Sequence, residues 1–119
     1  MANAARVFFW GPPIHGCEQK ALQLFNEVTQ FYAQKKEKGE IESSDAVVFD
    51  HFSGELDGLM ILRGDRDKLD KILHSDEAVN FGHRSELLLT NFRIATGFAG
   101  ESLQVRMASY GKQVAELFK

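Results

Sequence analysis

Two short segments, Val7-Phe8-Phe9-Trp10 and Leu59-Met60-Ile61-Leu62, are apolar at every position. A β-strand sends successive side chains to opposite faces. As strands, these segments set Val7 and Phe9 against Phe8 and Trp10, and Leu59 and Ile61 against Met60 and Leu62. An antiparallel sheet with one face in water alternates apolar with polar residues. These strands do not. A fold that contains them has to cover both faces, because large exposed apolar patches mark interfaces, grooves or aggregation sites.

The rest of the chain supplies the cover for one face. Gly11-Pro12-Pro13 stops the first strand, Arg6 to Trp10. From Cys17 to Lys38, the residues Ala21, Leu24, Phe25, Val28, Phe31 and Tyr32 recur at three- and four-residue steps. That spacing predicts an amphipathic helix, stopped by Gly39. Ile41 to Phe52 predicts a second strand, with Val47, Phe49 and His51 on one face and Ala46, Val48, Asp50 and Phe52 on the other. Ser53 to Gly58, with its Asp-Gly pair, is a hairpin connection into the third strand, Leu59 to Arg63. Asp65 and Ser75 suit N-caps. The first opens a short helix carrying Leu69, Ile72 and Leu73, the second a further turn or two through Ala78, Val79 and on to Leu87. Asn91 to Phe98 is the fourth strand, and Leu103, Met107, Tyr110, Val114, Leu117 and Phe118 form the apolar stripe of a terminal helix.

This order predicts an α+β fold: a ferredoxin-like βαββαβ sandwich, a four-stranded antiparallel sheet with helices on one face, plus an extra C-terminal helix. At 119 residues the chain is expected to be a single domain, 1–119. The two doubly apolar strands fall in the middle of the sheet. Their second face calls for a homodimer through the open sheet face, or for a monomer whose terminal helix folds beneath the sheet.

Composition excludes several classes of function. A net charge of −3 argues against a nucleic-acid surface, and Lys35-Lys36-Glu37-Lys38 suits the C-terminal end of a helix dipole. The single cysteine, Cys17, rules out an internal disulfide and points to a reducing, cytoplasmic setting. No apolar run reaches the roughly 18 residues of a membrane span, and Met1 to Trp10 does not read as a signal peptide. Ten phenylalanines imply a bulky core or a lined cavity.

The layout, with Ile41-Glu42-Ser43, the Gly54 to Gly58 hairpin and Leu62-Arg63-Gly64-Asp65 followed by Leu69, resembles the dimeric α/β-barrel group of ferredoxin-like proteins. That group includes antibiotic-biosynthesis-type monooxygenases, muconolactone-isomerase-like proteins and small uncharacterised bacterial proteins, to which the turn chemistry is most similar. The resemblance runs from about Arg6 to Glu101 and leaves the last helix outside. No motif matches the catalytic residues of those enzymes, so none is carried over.

Four residues are candidates for binding a ligand. His51, on a face with Val47 and Phe49, suits a general base or an anchor at the edge of an apolar cavity; the competing reading is a solvent-reached histidine before a hairpin. Arg63 and Arg93 offer planar forks for an anionic group at a cavity mouth, or simply pair with a nearby acid. Trp10 shares a face with Phe8 and lines either a pocket or a dimer core. His15, Cys17, His74 and His83 have no metal-ligand spacing, and no phosphate-binding glycine motif is present. No metal or cofactor is expected. Three functions follow: a dimeric module binding a small apolar ligand, a cofactor-free oxygenase- or isomerase-like enzyme on a similar molecule, or a structural or regulatory interaction protein.

Overall fold

The computed structural model describes residues 2–50 and 54–119. The elements run β1 (Ala4–Trp10), α1 (Glu18–Glu37), β2 (Ser43–Val48), β3 (Gly58–Gly64), α2 (Arg66–Leu73), α3 (Asp76–Leu88), β4 (Arg93–Phe98) and α4 (Glu101–Leu117). The strands form one antiparallel sheet in the order β2-β3-β1-β4. This is the ferredoxin-like sandwich expected from the sequence, with β1 and β3 in the centre.

Helix ends fall where local chemistry puts them. Gly39, at φ 74°, closes α1: its N–H donates to the Lys36 carbonyl and that of Glu40 to Lys35, the paired bonds that end a helix on a left-handed glycine. Asp65 and Ser75 cap α2 and α3 by accepting from the Lys68 and Ala78 amides at 3.1 and 3.3 Å.

Several boundaries differ from the sequence reading: β1 begins at Ala4 rather than Arg6, and β4 at Arg93 rather than Asn91. β2 is shorter, beginning at Ser43 rather than Ile41 and ending at Val48; Ile41 is buried just ahead of it in the core. The Phe49 amide still donates to the Asp57 carbonyl at 2.7 Å, prolonging the hairpin pairing by one bond. Helix α3, read as a turn or two, has 13 residues.

Register assigns the faces. Phe8 stands opposite Met60 and Ile94, and Arg6 opposite Leu62 and Thr96. With Ala4 and Trp10 they point towards the helices, where Leu62 and Leu69 are fully buried. Val7 stands opposite Ile61 and Ala95, and Phe9 opposite Leu59 and Arg93. These look the other way, onto a face with no helix cover among the described residues. Helix α4 does not supply it. Its Ser102 hydroxyl donates to the Asn3 carbonyl and its Arg106 guanidinium lies 4.4 Å over the Phe98 ring. Past that tether it buries none of its own residues.

One charge lies among the helix-side residues. Arg6 is 5% exposed, and its guanidinium donates to the Ala5 carbonyl at 2.9 Å and to the Asp70 carboxylate of α2 at 2.6 Å. A buried charge is tolerated only when it is paired and hydrogen-bonded. This pair therefore fixes α2 to β1. The hydrogen bond from Arg6 holds the Asp70 carboxyl below the usual carboxylate range. A depressed acid stabilises the fold above its unfolded pKa of about 4, and the contribution disappears as pH falls through the lower folded value. Asp70→Asn should accordingly lower the urea midpoint at pH 7, with the gap to wild type closing as the pH is taken well below 4.

Candidate functional site

The helix side of the sheet is not filled. Between the sheet, α1 and α3 lies a cavity of about 470 Å³, within the range of small-molecule pockets. Protein interiors are otherwise packed with few voids larger than a water molecule.

The composition of α3 explains the space. Ala78, Gly82 and Ser85 recur at helical spacing and all three line the cavity. A methyl group added at Gly82 would touch nothing within 4 Å. Small side chains on the inner face of a roof helix leave room that larger ones would take. The roof is held up by contacts between α1 and α3: Phe31 and Phe81 pack edge to face at 5.3 Å, and Arg84 pairs with Glu27. This arginine holds the Glu27 carboxyl below its ordinary range.

The floor is aromatic. Phe8 stacks near Phe92 at 6.3 Å and lies 5.9 Å from Tyr32 of α1. Trp10, the chain's one tryptophan, stands edge-on to Phe25 at 5.9 Å. Its indole is seated over Gly58, where a Cβ would come within 2.7 Å of the ring. A larger residue on β3 would push the indole away from its place in the cavity wall.

Few polar groups reach this space. Ser85 is already committed, donating to the Phe81 carbonyl at 2.7 Å. Glu18 lies at the edge, where its carboxylate accepts from the Gly16 amide at 2.8 Å. Asp57 is the other acidic residue of the lining. Tyr32 is only 2% exposed, and its burial pushes the phenol upward from its ordinary value. Sequence periodicity had marked Tyr32 merely as a core position of α1.

Of the four residues singled out by sequence, the three that the structure describes do not converge. Trp10 lines the cavity. Arg63 stands on the opposite face of the sheet, 3.5 Å from Asp45 of β2. Arg93 is on that face too, its guanidinium 5.6 Å over the Phe9 ring. His51 lies outside the described residues. Among the described residues no three of His, Cys, Asp or Glu are grouped to hold a metal ion, and no helix is long and apolar enough to cross a membrane.

The open face is built differently. Val7, Phe9, Leu59 and Ile61 make an apolar centre, with the Arg63–Asp45 pair and Arg93 towards its edges. Helix α4 has a second uncovered stripe, with Leu103, Met107, Tyr110, Val114 and Leu117 all at least 40% exposed.

No family model matches the chain, and no curated protein matches it in sequence. Solved structures match it in fold. A protein from Pseudomonas aeruginosa superposes with a TM-score of 0.61 at 15% identity, covering 84% of this chain and 96% of that one. A dimeric protein of unknown function and ferredoxin-like fold from Bacteroides fragilis gives 0.58 at 9% identity, over 81% and 96%. A candidate antibiotic biosynthesis monooxygenase from Deinococcus radiodurans gives 0.59 at 11% identity, over 84% and 93%. At these identities the likeness carries the fold alone, and the fold is the one that the order of strands and helices implied.

Proposed function

We propose that this chain is a small-molecule-binding module that works as a homodimer, its ligand held between the sheet and helices α1 and α3. The observation that carries the reading is the cavity itself: ligand-sized, walled by Phe8, Trp10, Phe25 and Phe92, and kept open by small residues on α3. Aromatic walls with few polar groups suit an apolar or aromatic guest.

The dimer reading rests on the uncovered surfaces. An apolar centre with charged edges is the make-up of a protein interface, and the Bacteroides fragilis neighbour is described as dimeric. Four strands about 4.8 Å apart and some 20 Å long outline roughly 400 Å², short of the ~800 Å² per partner in a standard interface. Helix α4 carries a second exposed apolar stripe, and in this reading the partner covers both surfaces.

The cavity is tested through Trp10. The neutral probe 1-aminoanthracene should bind wild type and quench its tryptophan emission by energy transfer. Gly82→Leu should abolish that binding while raising the unfolding free energy by about 1 kcal/mol, since leucine is the better helix former. A variant that binds the probe as well as wild type would put the probe elsewhere.

The dimer is tested by light scattering. Wild type should run at twice the chain mass. Val7→Glu should weaken association roughly a hundredfold or more, because a two-fold interface would bury two unpaired carboxylates. An unchanged helical circular dichroism spectrum would show the monomer to be folded. Wild type at the mass of one chain would remove the dimer from the reading.

A further inference from the structure

Building on the binding reading above, we propose that the cavity's ligand is an uncharged aromatic molecule bearing a carbonyl-type hydrogen-bond acceptor, and that the Tyr32 hydroxyl is the donor that orients it.

Tyr32 belongs to the cavity wall, yet its hydroxyl has a role that packing does not explain. The side chain is almost wholly buried, and Phe8 and Phe31 flank its ring at 5.9 and 5.0 Å. Among the described residues no group accepts the hydroxyl proton, and the oxygen is not one of those sealed away from any approach. Tyr32 lines the cavity, and we infer that its hydroxyl faces that space. Phenylalanine would fill the same place without a hydroxyl that needs a partner. A phenol is protonated at neutral pH in any case, and burial pushes its pKa further up. It is thus fitted to donate to a ligand oxygen.

Charge narrows the class further. Among the described residues, the ionisable side chains lining the cavity besides Tyr32 are the acids Glu18 and Asp57. The two arginines of the sheet's other face, Arg63 and Arg93, are directed away from it. A carboxylate ligand would shed its water among aromatic walls and meet like charges at the edge. A ketone, quinone or lactone gives up far less water on entry. Its carbonyl oxygen takes the Tyr32 proton, while its rings lie among Phe8, Trp10, Phe25 and Phe92.

Three compounds on one ring skeleton test this by displacement of bound 1-aminoanthracene: 9-fluorenone, fluorene and fluorene-9-carboxylate. Fluorenone should bind wild type about tenfold more tightly than fluorene, the worth of one neutral hydrogen bond. The carboxylate should bind at least tenfold more weakly than fluorene. Tyr32→Phe should bring fluorenone down to the level of fluorene and leave fluorene itself unchanged. The carbonyl stretch of bound fluorenone should move to lower frequency in wild type and not in the variant. Equal binding of fluorenone and fluorene, a fluorenone advantage that survives Tyr32→Phe, or preference for the carboxylate would overturn the assignment while leaving the cavity reading intact. If 1-aminoanthracene itself fails to bind, the cavity reading falls first and this inference with it.

Discussion

The structure depends on β1 having two incompatible faces and being central. One face, Phe8, belongs to an aromatic chain that runs from Phe92, just ahead of β4, through Phe8 to Tyr32 and Phe31 of α1 and on to Phe81 of α3. Aromatic pairs of this kind are worth about 0.5–1.5 kcal/mol beyond the area they bury. The chain ties the edge strand and both long covering helices to the strand at the sheet's centre. The other face, with Val7 and with Phe9 beneath the Arg93 guanidinium, is covered by no helix among the described residues.

The two ends of the sheet are held by different means. Towards α2, the anchor is the ion pair between buried Arg6 and Asp70, which satisfies a charge that could not otherwise lie beneath a helix. Towards α1 and α3, the anchor is aromatic contact at the rim of an open space. A roof standing on Phe31–Phe81 and Arg84–Glu27 needs no filling beneath Gly82 and Ser85. The cavity is thus a consequence of where the fold places its large and small residues, and Tyr32 is one of the few polar residues in its wall.

Much of the candidate site escaped the sequence for identifiable reasons. Trp10 was visible because it ends a strand of unbroken apolar residues. Tyr32 was visible only as a helical core position, since periodicity reports which side of a helix is buried and not whether a hydroxyl finds a partner. Arg6 gave no signal at all: a lone arginine at the start of a strand reads as solvated until Asp70, 64 residues away, is seen to reach it. Arg63 and Arg93 were correctly placed on strands, but a strand's two faces are equivalent until the helices choose one.

Local chemistry alone determined the order of the elements, the caps at Asp65 and Ser75, the stop at Gly39 and the need to cover both faces of β1 and β3. Each rests on residues adjacent in the chain or at a fixed strand or helix period. Tertiary structure decided the rest. Register chose which of Phe8 and Phe9 meets the helices, and the inner face of α3, built of Ala78, Gly82 and Ser85, left a cavity instead of a filled core. Helix α4, whose stripe suggested a cover for the sheet, is tethered at Asn3 and Phe98 and leaves that face open. These outcomes depend on the distances between elements far apart in sequence, and periodicity within one element carries no measure of them.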